Sequence, residues 1–311
     1  MEPTPRVVVV GAASIDVKGR ALEALNPLTS NPGQVQLSIG GAARNIAENL
    51  ARLGVNTVLL SVVGGDVFGQ TILSHTAEAG VNVEHIIVSR EHPSGAYMAL
   101  LDEGGRLIVA LDEMSAIEEL TPGCVEAHKG LLYGADMLIF DGNLPIETMA
   151  ALTEFAHLEG IPVCVDPTSV ALAPSVTPFL DRIDLFMPNL AEAQVFCDCD
   201  VAVGREAITA ARKLVQLGVG TAVIALGADG VAWAASDESG WIPAFPIDEV
   251  VDTVGAGAAL TAGVVFGLLN DVPLDEAVRL GASAAALTLQ SHETVRSDLS
   301  LDLLYEQIMV F

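Results

Sequence analysis

Short apolar runs alternate along the chain with longer segments in which apolar residues recur at the spacing of a helix. Residues 43–53 place Ile46, Leu50 and Leu53 on one side of a helix, whereas residues 7–10 have the pattern of a buried strand. Other strands are predicted at residues 57–63, 137–141, 163–166, 185–187 and 222–226, and other helices at 68–79, 146–158, 205–217 and 256–269. Apolar strands that alternate with helices predict an α/β fold, with a mostly parallel central sheet covered by helices on both faces.

Two segments depart from this rhythm because apolar and polar residues alternate in them, as in strands with one wet face. They are residues 34–39 and 95–110, and the second contains Asp102-Glu103-Gly104-Gly105, which suits a hairpin turn. We therefore expect a small β lid, residues 17–40 and 94–112, inserted into a large domain of residues 1–16, 41–93 and 113–311. So small a sheet is marginal alone, so it should fold over a substrate site or pair with a second copy in a homodimer.

The charge of the chain excludes one class of partner. There are 14 lysines and arginines against 40 aspartates and glutamates, a formal net charge of −26. Such a surface repels polyanions over long range, so we expect no nucleic-acid partner. A phosphorylated ligand would need a local positive site or metal ions to offset the field.

Hydropathy indicates a protein with a large core and no membrane partner. Hydrophobic residues make up 51% of the chain and the mean hydropathy is +0.50. No apolar stretch is long enough to span a bilayer, and the run at residues 7–10 is too short for the core of a signal peptide. A soluble, cytoplasmic protein is expected.

The cysteines show no metal or redox pattern. There are four, at Cys124, Cys164, Cys197 and Cys199. The one-residue gap between Cys197 and Cys199 matches neither a redox C-x-x-C pair nor a paired zinc motif. Buried or incidental thiols are the expectation.

The most informative stretch is Asp252-Thr253-Val254-Gly255-Ala256-Gly257-Ala258, just before a predicted apolar helix. Two glycines separated by one residue let successive N–H groups turn towards one point at the positive end of the helix dipole. That combination suits a phosphate. An ordinary glycine-rich helix start would have the same spacing, and the spacing alone leaves both interpretations open.

Other motifs are weaker indications of a ligand-binding site. Gly227 and Gly230 follow a predicted strand and allow close approach of the backbone to a ligand. Asn189 and Glu192 follow another strand and could face a hydrated Mg²⁺ or phosphate oxygens, although Asn189 as a plain helix cap is the simpler interpretation. A dinucleotide-binding fold is disfavoured because only Gly11 of the required G-x-G-x-x-G follows the first strand.

Taken in order, these motifs resemble the PfkB, or ribokinase-like, family of small-molecule kinases. Gly40-Gly41-Ala42-Ala43-Arg44-Asn45 resembles the first family signature, and Asn189 to Glu192 resembles its N-x-x-E motif. Residues 252–263 resemble the second signature, D-T-x-G-A-G-D-x-F-x-A-G. Order and spacing agree over nearly the whole chain. Within the family, Ser30-Asn31-Pro32-Gly33 and the motif after it look most like pseudouridine kinases.

The resemblance implies an ATP-dependent kinase that phosphorylates a primary hydroxyl of a ribosyl compound, with Mg²⁺ and, as in many relatives, K⁺. The residues implied to bind the sugar are Asp16, Gly40, Gly41 and Asn45, with the two glycines also forming the lid hinge. The anion hole for the γ-phosphate would be formed by Gly255, Ala256 and Gly257. The nucleotide side would comprise Asn189, Glu192, Gly227, Gly230 and Thr253. Glu192 would hold Mg²⁺ through water, and Asp252 and Val254 a monovalent cation.

One departure from the family pattern bears on activity. The second signature has an aspartate, the proton acceptor, where this chain has Ala258, and Leu260 replaces its phenylalanine. General-base catalysis is worth about 10²–10⁴-fold in rate, so turnover should be slow while binding is retained. A binding protein without turnover (a pseudokinase) and a kinase for plain sugars are the alternatives.

Overall fold

Fourteen strands form in the part of the chain that the computed structural model describes, residues 5–198, 201 and 203–309. In chain order they are β1 (Arg6–Val10), β2 (Ser14–Ala21), β3 (Gly33–Gly40), β4 (Asn56–Leu60), β5 (Val62–Gly64), β6 (Ile87–Ser89), β7 (Gly95–Leu101), β8 (Leu107–Glu113), β9 (Met137–Asp141), β10 (Val163–Asp166), β11 (Leu185–Phe186), β12 (Thr221–Ala225), β13 (Val231–Ala234) and β14 (Ser239–Ile242). The α-helices are α1 (Ala42–Arg52), α2 (Val67–Glu78), α3 (Pro122–Ala127), α4 (Lys129–Leu132), α5 (Ile146–Glu159), α6 (Ala173–Val176), α7 (Leu190–Cys197), α8 (Ile208–Gln216), α9 (Ala256–Leu269), α10 (Leu274–Leu289) and α11 (Leu301–Met309).

Eight strands form the central sheet, in the order β14-β13-β12-β11-β10-β9-β1-β4. The strands from β12 to β4 are parallel to their neighbours, whereas β13 and β14 pair antiparallel at one edge. The predicted α/β fold with a mostly parallel sheet is confirmed.

Alternate residues of β1 enter two separate cores. Val8 and Val10 belong to the apolar cluster that includes α3 to α8, and Val7 and Val9 to the cluster that includes α1, α9 and α10. All four side chains are fully buried. A strand that is apolar on both faces is stable only between two layers of helices, which is why four consecutive valines mark the interior of this sheet.

Four strands form a second, smaller sheet in the order β3-β2-β7-β8. Strand β2 pairs antiparallel with β3 and parallel with β7. Because side chains alternate along a strand, Asp16 and Lys18 lie on one face of β2, and Ile15 and Val17 on the other. Lys18 forms an ion pair with Asp252, which precedes α9, so the polar face is turned towards the helices of the main body.

The opposite face of the small sheet is apolar and largely exposed. The strand register places Val17 beside Leu37 and Met98, and Met98 beside Leu111. Leu37, Met98 and Leu111 are each more than half exposed. Nothing in the described part of the chain therefore covers this row of apolar side chains.

Two predicted elements differ from the structure. The strand predicted at residues 57–63 is two strands, β4 and β5, divided at the buried Ser61, whose hydroxyl donates to the carbonyl oxygen of Gly11 at 2.6 Å. Strand β4 stays in the main sheet and β5 pairs with β6. The helix predicted at residues 205–217 begins as the 3₁₀ turn Gly204–Ala207 and becomes α8 at Ile208.

Among the described residues, no helix has both the length and the apolarity needed to cross a bilayer. Cys164 is fully buried in β10 and Cys124 is partly buried. Cys199 and the first four residues lie outside the described part of the chain.

Candidate active site

The carboxyl ends of the parallel strands meet at one edge of the main sheet, where ligands bind in open α/β folds. Strand β9 ends there at Asp141, which is fully buried. Its carboxylate accepts hydrogen bonds from the N–H groups of Ala12 and Ala43, both at 2.9 Å. Burial raises the pKa of Asp141, and the N–H donors oppose that shift. Asp141 therefore ties the end of β9 to the turn after β1 and to the first turn of α1.

Helix α9 presents an uncapped N-terminus. Its N-cap is Gly255, with φ of +90°, and no side chain of the described residues caps the first turn. A methyl group at position 255 would overlap the carbonyl oxygen of Thr294, so both the dihedral and the crowding require glycine. A methyl group at Gly257, in contrast, would meet no described atom within 4 Å. First-turn N–H groups without a side-chain cap, beside open space, suit an anion.

Ala258, in the first turn of α9, has an apolar environment. It is buried and belongs to the same apolar cluster as Ala13 and Ile15. Its methyl group can neither accept a proton nor bind a metal ion. The position at which the resemblance expects a catalytic base therefore has no acceptor.

The carboxylate of Asp16 lies against Gly40 of the neighbouring strand. A methyl group at position 40 would overlap it, which explains the glycine. The hydroxyl of Ser14 donates to Oδ1 of Asp16 at 3.2 Å. Burial raises the pKa of Asp16, while that hydrogen bond and the positive charges of Lys18 and Arg44 oppose the shift. Such a carboxylate can accept hydrogen bonds from the hydroxyl groups of a sugar.

Gly41 and Asn45 lie at the start of α1. Gly41 has φ of +93°, and a Cβ there would lie 2.6 Å from Cα of Ala13. The side chain of Asn45 is buried, and its Oδ1 accepts a hydrogen bond from Arg44 and lies 3.4 Å from the hydroxyl oxygen of Thr294. This orients the amide, so that Nδ2, which has no described hydrogen-bond partner, is the donor available to a ligand.

Arg44 joins three parts of the site, a role that the sequence motifs do not indicate. Its buried guanidinium donates to the carbonyl oxygens of Gly40 (3.0 Å) and Ile39 (2.9 Å) and to the hydroxyl of Thr294 (3.3 Å). It also pairs with the buried Glu48 one turn along α1. Arg44 stands inside the first motif, but Thr294 is 250 positions away, so no local pattern indicated the link.

Asn189 and Glu192 form a capping box at the start of α7. Oδ1 of Asn189 accepts from the N–H of Glu192 at 3.0 Å, and Oε2 of Glu192 accepts from the N–H of Asn189 at 2.9 Å. The simpler interpretation of Asn189, a helix cap, is therefore correct. Glu192 is buried, and this raises the pKa of its carboxyl.

A second carboxylate, absent from the sequence predictions, lies near Glu192. Burial and the charge of Glu192 raise the pKa of Asp166 to about 7, against the hydrogen bond that its Oδ1 accepts from the N–H of Thr168 at 2.7 Å. Asp166 ends β10 as Asp141 ends β9, and that shared position was the available signal.

The pair fits a magnesium ion. Each carboxylate has one oxygen in a hydrogen bond and a second that no described residue engages. The described residues contain no cluster of three or more His, Cys, Asp or Glu able to hold a metal. Mg²⁺ is commonly held by one or two carboxylates, water and the phosphates of a substrate. Glu192 and Asp166 could therefore hold Mg²⁺ in that manner.

Gly227 begins the 3₁₀ turn after β12 and Gly230 follows it, with φ of +62° and +90°. A methyl group at position 230 would overlap the carbonyl oxygen of Ile242, so folding alone requires this glycine, whereas position 227 faces open space. A bridge between Asn189 and Ala225 joins the start of α7 to the end of β12. Thr253 is exposed.

The carboxylate of Asp252 is already engaged. Lys18 forms an ion pair with Oδ2, and Oδ1 accepts from the N–H of Val254 at 3.0 Å. The side chains of Lys18 and Asp252 are 13% and 18% exposed. Since a potassium ion needs oxygen ligands that are free, the carboxylate of Asp252 is not available to a monovalent cation in this arrangement.

A cavity of about 510 Å³ opens beside the outer edge of β3. Residues from α1, α2 and the loop after α10 line it, among them Arg44, Phe68 and Thr294. Neither Asp16 nor Ala258 contributes to its lining. It is therefore a space distinct from the one between β2 and the start of α9.

Comparison with known proteins adds independent information. The family model described as "pfkB family carbohydrate kinase" matches residues 4–300. Pseudouridine kinase of Escherichia coli K12 is 33% identical over 297 residues, which cover 95% of this chain and 94% of that protein. A solved carbohydrate kinase from Agrobacterium tumefaciens is 30% identical, with a TM-score of 0.84 over 98% of this chain and 97% of that one. Arabidopsis thaliana ribokinase, solved with ribose and ATP, shares the fold at 22% identity, with a TM-score of 0.86 over 98% of both chains.

Proposed function

The chain belongs to the pfkB family of carbohydrate kinases, and from this premise we propose that it transfers the γ-phosphate of ATP to a primary hydroxyl of pseudouridine or a related nucleoside. The contacts of Thr294 are the main support for this proposal. Thr294 contacts both Gly255, the N-cap of α9, and Asn45, whose amide can donate to a ligand. A phosphate at the start of α9 would therefore lie beside groups that can bind an acceptor alcohol.

On the acceptor side, Asp16 and Asn45 offer complementary chemistry. The carboxylate of Asp16 accepts hydrogen bonds from hydroxyl groups, and Nδ2 of Asn45 donates one. Both side chains are buried and held by neighbours, so little side-chain entropy is lost when a ligand binds. Gly40 leaves room for the carboxylate of Asp16, and Gly41 for the backbone of Ala12 and Ala13, so both glycines let the acceptor side pack closely.

On the phosphate side, the N–H groups of Gly255, Ala256 and Gly257 would bind the transferred phosphate at the positive end of α9. Mg²⁺, held through water by Glu192 and Asp166, would neutralise charge on the phosphates. This neutralisation of charge is important because the net charge of −26 on the chain opposes the approach of a nucleotide. Gly227 would let the nucleotide approach the turn after β12.

The reaction should be slow. Phosphoryl transfer depends mainly on positioning and charge stabilisation, which this site retains. Proton removal from the acceptor is the step that Ala258 cannot assist. A second candidate function, nucleoside or nucleotide binding without turnover, is favoured by the apolar surroundings of Ala258.

We also propose that the small sheet acts as a lid and that its apolar face joins two chains in a homodimer. The polar face, which carries Asp16 and Lys18, is turned towards α9. The apolar face, with Leu37, Met98 and Leu111, is turned to solvent. Exposed contiguous apolar surface of this kind is commonly covered in an assembly.

The test is consumption of ATP with Mg²⁺ in the presence of pseudouridine, uridine, inosine or ribose, each supplied separately. We expect slow turnover that depends on the nucleoside and is weaker with ribose. A preference for ribose would make the protein a sugar kinase. Binding of nucleoside and nucleotide without any product would favour the binding protein, and failure to bind either ligand would refute both functions.

A further inference from the structure

A lysine forms an ion pair with the carboxylate at which the family resemblance implies a monovalent cation. Lys18, on β2 of the small sheet, is one of three lysines in the chain. Lys129 pairs with Glu126 and Lys213 donates to the carbonyl oxygen of Cys197, both away from α9. Lys18 alone among them reaches the segment that leads into Gly255, where it pairs with Asp252.

The paired carboxylate shapes that segment. Oδ1 of Asp252 accepts the N–H of Val254, which is the residue immediately before the N-cap of α9. The N–H of Val251 donates to the carbonyl oxygen of Leu289 at 2.8 Å and anchors the other side of the turn. The partners of the Asp252 carboxylate therefore bear directly on the loop that positions Gly255.

Electrostatics explain why a cation is needed at this point. An unpaired carboxylate three residues before a phosphate site would repel the phosphate, and the net charge of −26 adds to the effect. The Lys18 ammonium has one positive charge and three N–H donors. Because both side chains are mostly buried, salt screens the pair only weakly.

We propose that the Lys18 ammonium takes the place of a monovalent cation at Asp252, so that the protein orders the loop before Gly255 without potassium. This deepens the proposed function, on which it rests. A potassium ion would bind the loop alone, whereas Lys18 also ties it to the small sheet. Closure of the lid and ordering of the phosphate site are therefore one event in this chain.

The experiment compares potassium chloride with choline chloride at equal ionic strength, since choline is too large for a small cation site. Binding of a non-hydrolysable ATP analogue with Mg²⁺ is measured by calorimetry, with thermal unfolding as a second readout that needs no ligand. We expect the unmodified protein to change its affinity by less than about twofold between the two salts. The Lys18→Ala variant should bind about tenfold or more weakly in choline and recover in a saturable manner with potassium. Its melting temperature should likewise rise with potassium.

Lys129→Met is the matched control, because it removes the same charge at a half-exposed site distant from α9, and it should behave as the unmodified protein. Lys18→Met, which keeps most of the side-chain volume, replaces Lys18→Ala if that variant does not fold. The inference is overturned if the unmodified protein binds about tenfold more tightly in potassium, or if the Lys18 variants bind the analogue and melt identically in both salts. If the analogue does not bind even to the unmodified protein, the proposed function fails, and the melting temperatures still decide the role of Lys18.

Discussion

The carbonyl oxygen of Thr294 occupies the space that a side chain at Gly255 would need. The hydroxyl of the same threonine donates to the carbonyl oxygen of Ile39, at the end of β3. One residue of the loop after α10 thus contacts both the N-cap of α9 and the junction between the small sheet and α1. The phosphate side and the acceptor side of the proposed site are therefore positioned against the same loop.

Gly255→Ala should destabilise the fold and abolish binding of nucleotide. The new methyl group would face the carbonyl of Thr294 from a backbone with φ of +90°, and we expect a loss of about 2 kcal/mol or more in the free energy of unfolding. Urea denaturation measures this loss in the free energy of unfolding. Gly257→Ala is the matched control: a methyl group there has open space, so stability should be unchanged or raised by up to about 1 kcal/mol. Equal stability of both variants would contradict this account of Gly255.

Ala258→Asp should restore a proton acceptor next to the start of α9. We expect nucleoside-dependent consumption of ATP to rise by about 10²-fold or more. Affinity for the nucleoside should change far less, because the base acts mainly in the transition state. Ala258→Asn, similar in shape but unable to take the proton, should stay slow. If the aspartate variant binds both ligands and Mg²⁺ but is no faster than the asparagine variant, the assignment of position 258 is wrong.

Asp16→Asn should weaken binding of the nucleoside by about 10- to 100-fold, the effect of losing a charged hydrogen-bond partner. Binding of ATP should change little. Burial raises the pKa of Asp16 in the folded state above its usual 3.8, so the contribution of this carboxyl to stability is greatest below pH 3.8 and is lost as the pH rises through the folded pKa. The variant should therefore be at least as stable at pH 7. Calorimetry and thermal unfolding test both parts, and an equal loss of affinity for both ligands would place Asp16 outside the acceptor site.

Asp166 should make magnesium-dependent binding sensitive to pH near neutrality. Because the folded pKa is about 7, the carboxyl is protonated below that pH and cannot help to hold Mg²⁺. Binding of the ATP analogue should weaken as the pH falls from 8 to 6. Without metal, the contribution of this carboxyl to stability should fall from about pH 3.8 to about 7 and then level off. Asp166→Asn should remove both dependences. Persistence of the binding profile in this variant would assign it to another group.

Leu111→Glu should dissociate the proposed dimer. Leu111 lies in the exposed apolar row of the small sheet, and a charge there would be costly to bury between two chains. Light scattering should give the mass of two chains for the unmodified protein and of one for the variant. Leu158→Glu, at an equally exposed position on α5, is the control and should remain dimeric. A monomeric unmodified protein would refute the dimer.

Periodic features of the sequence predicted much of the fold. The valines of β1 and the spacing of Ile46 and Leu50 in α1 correspond to buried positions because strands and helices have fixed periods. The division of β4 from β5 was missed, because one buried hydroxyl, that of Ser61, bonds to Gly11 and redirects the chain. A single polar residue inside an apolar run leaves no periodic signal.

For the candidate site, the sequence indicated the positions of the essential glycines but not the partners of the charged side chains. Gly255 and Gly41 have positive φ, which a sequence reports because few other residues tolerate it. The partners of Lys18 and Arg44, however, lie 234 and 250 positions away. Such pairs depend on how elements pack in three dimensions, so they appeared only in the structure.

Arg44 holds the carbonyl oxygens of Ile39 and Gly40 from within the buried start of α1. The glycines at this junction are therefore fixed at one end by a rigid helix and do not form a freely jointed linker. We therefore expect any opening of the small sheet to arise from twisting along β2 and β7, a collective motion of whole strands that is slower than the movement of a loop. The rate at which a phosphorylated product leaves would then be set by the stiffness of paired strands, and substitutions along β2 should change that rate more than added flexibility at residues 40 and 41.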